Sequence, residues 1–218
     1  MDLNQIKQDI KKARESSKKR NFKQTFDLIF ALKGLDMKKP DNQVDVFVSL
    51  HHDRGKPVKI CALVGPELKE NAKENADFVI DVDEFPIYAK DKKKSKKLAG
   101  EYDFFIAQAN IMPQVAGAFG RVLGTRGKMP NPKVGCIVPP KANIKPLIEK
   151  LKKTVRVSAK TALMAQLFVG TEDMEDDVVA DNILTIYNAV IHALPGEKNN
   201  LKKIYLKLSM GKPIEVKP

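Results

Sequence analysis

The sequence predicts a protein of α/β and α+β class with two domains: a discontinuous α+β domain with an antiparallel sheet, and an inserted Rossmann-like α/β domain. In the middle of the chain, short apolar runs alternate with helical patterns, which is typical of a parallel sheet covered by helices. Towards both ends, alternating apolar and polar residues are typical of an antiparallel sheet with one buried face. The simplest division assigns residues 1–56 and 154–218 to the discontinuous domain and 57–153 to the inserted domain.

The N-terminal segment is predicted to contain helices and a strand. Apolar residues between positions 3 and 13 form a narrow helical stripe, and residues 43–52, QVDVFVSLHH, alternate like a half-buried strand. Between them, residues 21–36 are interpreted as a helix because their apolar side chains fall on one side. Those side chains are Phe22, Phe26, Ile29, Phe30 and Ala31.

The inserted domain is predicted to alternate strands and helices. Apolar runs at 58–65, 77–82 and 103–109 are the strands. The segments ELKENAKENA and MPQVAGAFGRVLG have helical character, as does 143–154, where apolar residues recur at helical spacing. The flank that follows is predicted to form strands at 155–159, 163–170 and 204–211 and a helix at about 174–193.

The charge of the chain points to an anionic partner. Among 218 residues, 39 Lys and Arg oppose 27 Asp and Glu, a formal charge of +12. Nucleic acid is the first candidate and an anionic membrane surface the second. No apolar run reaches the about 18 residues that a span needs, and the N-terminus has no apolar signal region, so no membrane partner is expected. Two cysteines without a signal fit a reducing cytoplasm.

The stretch 124–135, GTRGKMPNPKVG, is the most distinctive local feature. Three glycines and two prolines predict a loop, and its three cations stand without an acid. A phosphate-binding GxxxxGK[ST] loop is excluded, because Val122 and Met129 stand where it needs Gly and Ser or Thr. The Rossmann GxGxxG is also absent after each predicted strand. The loop is then either a polyanion or domain contact, or an ordinary connector.

Three other segments allow two interpretations each. The six-lysine run 90–97 and the basic tract 145–160 are either solvated faces or nucleic-acid contacts. SMGKP (209–213) is either an ordinary strand-end turn or a hydroxyl and open backbone placed against RNA sugar and phosphate.

Residues for catalysis or metal binding are not found. The two cysteines lack a ligand at metal-binding spacing, and His51 and His52, if in a strand, point to opposite faces. No Ser–His–Asp or Cys–His set is evident. No cofactor and no metal are therefore expected.

Four segments together resemble one known family. LGTRGKMPNPKVG, followed by ANIKPLIEKLKKT, resembles the signature of the ribosomal protein L-one family, which belongs to the mobile stalk of the large ribosomal subunit. NFKQTF resembles the family's Phe-x-x-Thr helix start, VSLHHDRGK its Leu-Pro-His-Gly-x-Gly-Lys turn, and LSMGKP its terminal Thr-Met-Gly-Pro. The resemblance runs from about residue 20 to 213 and suggests the archaeal branch.

The resemblance implies a structural RNA-binding protein, not an enzyme. Members of the family bind a helical-junction region of large-subunit ribosomal RNA and, in many organisms, a similar fold in their own messenger RNA, whose translation they repress. Their stalk guides deacylated tRNA out of the ribosome. The expected location is the ribosome in the cytoplasm, and the free protein is expected to be a monomer.

The resemblance also implies two RNA contacts. The inserted domain would give a secondary contact through Arg126, Lys128 and Lys133 of its basic loop. In the terminal motif, Ser209 replaces threonine and keeps the hydroxyl, and Lys212 replaces proline. The discontinuous domain would carry primary recognition through Phe22, Thr25, Ser209, Met210 and Gly211, with Lys203 and Lys207 as neighbours on the strand.

Two rival functions belong to other classes. One is a nucleotide-dependent enzyme on the inserted α/β domain, which already lacks both phosphate-binding motifs. The other is a generic basic RNA chaperone, which would bind any RNA equally well.

Overall fold

The chain divides into two compact units in the computed structural model, which describes residues 2–140 and 142–217. The discontinuous unit consists of residues 1–56 and 153–218, and the inserted unit of residues 57–152. The first contains antiparallel sheets and the second a parallel sheet. The predicted fold class, α/β together with α+β, is confirmed.

The described residues form strands and α-helices in both units. The strands are β1 (Thr25–Leu32), β2 (Val44–Ser49), β3 (Ile60–Val64), β4 (Phe78–Asp81), β5 (Phe104–Gln108), β6 (Ile137–Val138), β7 (Thr154–Ala159), β8 (Met164–Thr171), β9 (Leu201–Leu208) and β10 (Ile214–Val216). The helices are α1 (Leu3–Glu15), α2 (Lys69–Asn75), α3 (Phe85–Lys90), α4 (Lys92–Glu101), α5 (Met112–Thr125), α6 (Lys145–Lys152) and α7 (Asp176–Ala193).

The main sheet of the discontinuous unit has the strand order β10-β9-β1-β8, and every pair is antiparallel. A second sheet pairs β2 with β7. Helices α1 and α7 contribute Ile6, Ile10, Ile183 and Ile186 to the same apolar core as the buried side chains of these strands. The apolar stripes of the helices bury one face of the sheet and leave side chains on its other face available for contacts.

The prediction of a helix at residues 21–36 is wrong, because this segment contains the central strand β1. Phe26, Leu28 and Phe30 are fully buried, and burial alternates along the strand with period two. Ile29 and Ala31, on the other face, are also apolar. The apolar positions of the segment therefore also fit a helical spacing, although the chain is extended. Hydrogen-bonded neighbours on both sides, β8 and β9, hold the segment extended.

The inserted unit has a four-stranded parallel sheet with the order β4-β3-β5-β6. All five residues of β3 are buried, as expected for a strand covered on both faces. Helices α3, α4 and α5 share a core with Cys61, Leu63 and Phe105. The alternating strand and helix pattern predicted for this region is confirmed.

The predicted loop 124–135 begins later than expected, because Gly124 and Thr125 form the last residues of α5. The Thr125 hydroxyl donates to the carbonyls of Arg121 and Val122 in the preceding turn, each at 3.1 Å. Thr125 therefore stays in the helix, although threonine side chains often compete with helical structure. The loop proper starts at Arg126 and contains a short helical turn, Pro132–Val134.

Candidate nucleic-acid interface

The start of β1 meets the end of β9 at the Thr25–Ser209 junction. The amide of Thr25 donates to Oγ of Ser209 (3.1 Å), and the amide of Ser209 donates to the carbonyl of Thr25 (3.0 Å). The two hydroxyl oxygens lie 2.9 Å apart. The structure thus brings together two residues, predicted to contact RNA, that are 184 positions apart in the chain.

A buried glutamine that was not predicted from the sequence supports this junction. Gln24 is only 1% exposed, and its side-chain oxygen accepts from the amide of Met210 (3.2 Å). Its amino group lies 3.3 Å from the Ser17 hydroxyl and 3.4 Å from the Lys18 carbonyl, as a donor to both. A buried amide with several partners fixes the turn and the N-terminal segment in one geometry. The only available signal was a polar residue directly before Thr25, which is not distinctive.

The turn after β9 is tight around Gly211. The Gly211 amide donates to the carbonyl of Leu208 (2.9 Å). A β-carbon at Gly211 would lie 3.3 Å from the Leu208 β-carbon and 3.4 Å from its backbone nitrogen. Glycine therefore lets the backbone fold back closely, and this places Met210 at the outside of the turn, where it is 62% exposed.

Phe22 is a second large apolar side chain that is exposed. In the sequence it lies three positions before Thr25. It is 53% exposed and lies outside any regular element. Exposed apolar side chains on a surface held by buried hydrogen bonds suit close contact with sugars and unstacked bases.

The two predicted lysines of β9 differ in their surroundings. Lys207 lies directly opposite Asp27 of β1 and two positions before Ser209. Lys203 Nζ lies 2.8 Å from the Glu215 carboxylate, and this hydrogen bond raises the pKa of Lys203. An extended strand rises about 3.3 Å per residue, so Lys203 lies roughly 20 Å from the junction and Lys207 roughly 7 Å.

Asp27 lies on β1, two positions after Thr25. Burial raises the pKa of the Asp27 carboxyl, while the charge of Lys207 and hydrogen bonds from Thr25 and Gln166 partly oppose that rise. Either hydroxyl of the pair can donate to the other, and the Ser209 hydroxyl also lies 3.4 Å from the Thr25 carbonyl, to which it can donate. Hydroxyl groups both donate and accept, so the pair can form hydrogen bonds with groups such as ribose 2′-OH.

A charged depression of about 330 Å³ adjoins the junction; it is lined in part by Gln24 and Leu208 and also by two acids, Glu172 and Asp173. Its cationic lining includes the exposed run Lys-Lys-Arg at 18–20, which was visible in the sequence but was not predicted as a site. Arg14 also lines it, yet its guanidinium is held 3.0 Å from the Asp176 carboxylate. Four cations and two acids thus line the depression, and the exposed Lys-Lys-Arg run is its positive side.

Two of the three predicted cations of the basic loop are exposed: Arg126 and Lys133. Gly127 and Gly135 have φ of +64° and +82°, the left-handed region that favours glycine. The side chain of Asn131 accepts from the amide of Lys133 (2.9 Å) and orders this part of the loop. The glycines therefore shape the loop, and the two exposed cations remain accessible on it.

Lys128, the third predicted cation, is bound within the inserted unit. Its ammonium donates to the carbonyls of Ala99 (3.0 Å) and Tyr102 (2.6 Å), at the end of α4. Burial lowers the pKa of Lys128. A cation at a helix C-terminus satisfies carbonyls that lack a helical partner and interacts favourably with the helix dipole. Lys128 thus joins the basic loop to α4.

A glutamine occupies the carboxyl ends of β3 and β5, the edge where sheets of this type bind ligands. Gln108 is 1% exposed; its oxygen accepts from the amide of Gly65 (2.9 Å) and its amino group donates to Glu67 (3.1 Å). A β-carbon at Gly65 would lie 3.1 Å from the Gln108 oxygen. The amide that would bind a phosphate in a nucleotide enzyme is already paired inside the protein.

The two thiols are poorly suited to nucleophilic chemistry. Both Cys61 and Cys136 are buried. Burial raises the pKa of Cys61 and raises that of Cys136 to about 11, so both stay protonated at neutral pH.

His51 and His52 do not point to opposite faces of a strand, because β2 ends at Ser49. Nδ1 of His51 and Nε2 of His52 instead lie 3.0 Å and 3.5 Å from the same carboxylate, that of Asp181. Within the described residues, no group of three or more His, Cys, Asp or Glu side chains is placed to hold a metal ion. Nor is any helix of that part of the chain long and apolar enough to cross a membrane.

Comparison with known proteins gives consistent matches along almost the whole chain. The model of the ribosomal protein L1p/L10e family matches residues 11–212. The large ribosomal subunit protein uL1 of Methanocaldococcus jannaschii is 42% identical over 217 residues, which is 100% of this chain and 97% of that protein. The protein of the same description from Nanoarchaeum equitans is 44% identical over 211 residues, 95% of this chain and 97% of that protein.

Proposed function

The chain belongs to the ribosomal protein L1p/L10e family, and from this we propose that it is a protein of the large ribosomal subunit that binds large-subunit ribosomal RNA. The family consists of structural ribosomal proteins, not of enzymes. The relatives compared are archaeal. Its members act on the ribosome in the cytoplasm. Residues 1–56 and 154–218 carry the primary RNA surface in this proposal, and residues 57–153 carry the secondary contact.

The Thr25–Ser209 junction is the observation that supports this proposal most directly. Two hydroxyls 2.9 Å apart, which can donate and accept hydrogen bonds, suit ribose 2′-OH groups, which distinguish RNA from DNA. Met210 and Phe22 supply exposed apolar contact area beside them. Lys207, with Lys203 farther along β9, attracts the phosphate backbone of RNA from a distance and makes RNA binding dependent on salt.

We propose two further roles that follow from the same surface. A messenger RNA that folds like the ribosomal site would bind the same junction, so the protein would repress translation of its own message. As part of the mobile stalk, the protein would contact deacylated tRNA during its exit. In both roles the protein binds RNA as a monomer when free, and no catalytic group, cofactor or metal is needed.

The nucleotide-enzyme alternative is weakened by Gln108, which occupies the amide of Gly65 at the ligand-binding edge of the parallel sheet. The generic RNA chaperone is the more serious rival, because the charge of +12 alone would attract any RNA. The two proposals differ in whether uncharged groups at the junction contribute to affinity.

A gel-shift titration with the stalk fragment of ribosomal RNA separates them. Ser209→Val removes an acceptor and leaves polar groups unpaired, so we expect a loss of about tenfold or more in affinity. Met210→Asp should weaken binding at least as much, because it places a carboxylate against RNA. Binding of the unchanged protein should also survive an excess of tRNA.

Each variant has a matched control in the same unit. Ser158→Val changes an exposed strand serine of β7, and Met164→Asp changes a methionine of β8 that is 48% exposed. If the control variants weaken binding as much as Ser209→Val and Met210→Asp, the junction is not the RNA site. If tRNA competes as well as the stalk fragment, the generic chaperone is the better description.

A further inference from the structure

The inserted unit contains an aromatic–lysine pocket of about 200 Å³, lined by Phe78, Tyr88, Lys94, Lys97, Leu98, Glu101 and Tyr102. The rings of Phe78 and Tyr102 are stacked, with centroids 5.6 Å apart and planes inclined by 23°. Phe78 remains 37% exposed although it is a large apolar side chain. The pocket therefore offers an aromatic surface to solvent.

Helix α4 supplies the charged side of this pocket. Lys94, Lys97 and Glu101 are three and four positions apart, a spacing that places them on one helix face. Both lysines are exposed, and Lys97 lies 3.8 Å from Glu101. The six-lysine run of the sequence thus has two members that border an aromatic surface.

The pocket is held in place from several sides. The ring of Tyr102 packs edge to face with the buried ring of Phe105, with centroids 6.4 Å apart. The Tyr102 carbonyl accepts from Lys128 of the basic loop (2.6 Å). The hydroxyl of buried Ser95 donates to the Tyr88 carbonyl (2.7 Å), which fixes α4 against the preceding helix. A stacking surface that is rigid before binding loses little entropy on binding.

We propose that this pocket binds one unstacked nucleobase of an RNA strand. The base lies against the exposed face of Phe78, and the neighbouring phosphates lie at the ammonium groups of Lys94 and Lys97. This site is separate from the junction in the discontinuous unit, and its biological use as a second RNA contact rests on the proposed function.

The size and charge of the pocket favour this occupant. Pockets for drug-sized ligands hold about 300–1,000 Å³, so a space of about 200 Å³ suits one base better than a whole nucleotide cofactor. Aromatic rings combined with cations are the usual means of holding single-stranded nucleic acid without sequence preference. The local lysines supply the charge that complements an RNA backbone.

The test uses the full chain and a hexa-uridylate RNA with 2-aminopurine at one central position, because uridines stack only weakly on that base. Stacking of this base on an aromatic ring quenches its fluorescence. Phe78→Ala should lower affinity about five- to hundredfold, the effect of removing one base stack, and should abolish the quenching. Phe78→Tyr should preserve both. Phe78→Leu, which keeps apolar packing on Tyr102, should lose quenching in a folded protein, and thermal unfolding verifies the fold.

Two controls lie in the same unit. Ile87→Ala removes an exposed apolar side chain, 54% exposed, that does not line the pocket. Lys93→Gln removes a lysine of α4 that does not line it, and should change affinity less than Lys94→Gln. The proposal is overturned if Phe78→Ala quenches the 2-aminopurine fluorescence as strongly as the unchanged protein. It is also overturned if Ile87→Ala loses as much RNA affinity as Phe78→Ala.

The outcome also distinguishes this inference from the proposed function. If the protein binds the stalk RNA, and Phe78→Ala still quenches the 2-aminopurine fluorescence as the unchanged protein does, the pocket is not a base site and the proposed function stands. If the hexanucleotide binds through Phe78 but the stalk RNA does not bind, the pocket stands as a base site and the proposed function fails.

Discussion

Lys128 is predicted to stabilise the inserted unit rather than to bind RNA. Lys128→Met keeps most of the aliphatic stem but removes the ammonium that donates to Ala99 and Tyr102. The two carbonyls at the end of α4 then lose their partner, and the loop loses its connection to the helix. The expected result is a lower free energy of unfolding with little direct effect on RNA affinity.

The magnitude follows from the two hydrogen bonds. A hydrogen bond to a charged group contributes about 1.5–3 kcal/mol net, and Lys128 makes two, at 3.0 Å and 2.6 Å. Burial of the ammonium opposes part of this gain, as the lowered pKa of Lys128 indicates. We therefore expect Lys128→Met to destabilise the protein by about 2–3 kcal/mol, less than the sum of the two bonds.

Urea unfolding of the full-length protein measures this loss, with separate spectroscopic probes for each unit. Lys133→Met is the matched control, since Lys133 is exposed on the same loop, and its effect should stay within about 0.5 kcal/mol. In gel shifts with the stalk RNA, Lys128→Met should bind no more weakly than Lys133→Met. If Lys128→Met leaves the free energy of unfolding unchanged but binds RNA much more weakly, Lys128 is an RNA contact and not a stabilising residue.

Two further predictions concern the discontinuous unit. Gly55→Ala places a β-carbon 2.6 Å from the hydroxyl oxygen of Thr171 at a φ of +75°, whereas Gly34→Ala, at +70°, meets its nearest atom at 3.5 Å. Thermal unfolding should show both variants destabilised by about 1–2 kcal/mol of backbone strain, with about 1–3 kcal/mol more for Gly55→Ala; equal losses would exclude the clash. Because the pKa of Asp27 is raised above 3.8, the native carboxyl holds its proton to higher pH than the unfolded one, and stability falls as pH rises through that window. Asp27→Asn should therefore raise the melting temperature at pH 7 relative to the unchanged protein, and less so at pH 3; the same difference at both pH values would contradict this.

The parts of the fold that follow local pattern were predictable from the sequence. β3 is a continuous apolar run, and the structure buries all of it between helices. The helix α7 has apolar residues at regular helical spacing, and it lies within the predicted segment. β3 was recognisable because its apolar run is too short for a helix, and α7 because its apolar residues follow a single helical spacing.

The strand β1 was not predictable in the same way. Its inward positions are apolar, but so are Ile29 and Ala31 on the other face, and two periodicities therefore fit the same letters. The deciding interaction is non-local, since β1 is extended by pairing with β8 and β9, which lie more than a hundred residues later. Phe22 and Thr25 were nevertheless identified from the family motif, which does not depend on knowing whether the motif starts a helix or a strand.

The residues that shape the candidate site were harder to find than those that form its surface. Ser209, Met210 and Gly211 belong to a recognisable motif, whereas Gln24 and the contacts of Lys128 depend on distances that no spacing in the sequence encodes. A buried amide is recognisable as a support only when its partners are known. Family motifs therefore identified the candidate contact residues, whereas the residues that support them are recognisable only from their contacts in the structure.

The chemistry of the Thr25–Ser209 junction explains why a protein of charge +12 would place uncharged groups at its primary RNA surface. Phosphates are the same in every RNA, so lysines provide attraction without discrimination. Hydrogen bonds of hydroxyl groups are weaker, but they depend strongly on the distance and direction of the partner. Such groups discriminate between RNA shapes only if they cannot move to follow the wrong one. The exchange of backbone hydrogen bonds between Thr25 and Ser209, and the hold of buried Gln24 on Met210, supply that rigidity. In this proposal the lysines set how strongly any RNA is attracted, and the rigid junction sets which RNA stays bound.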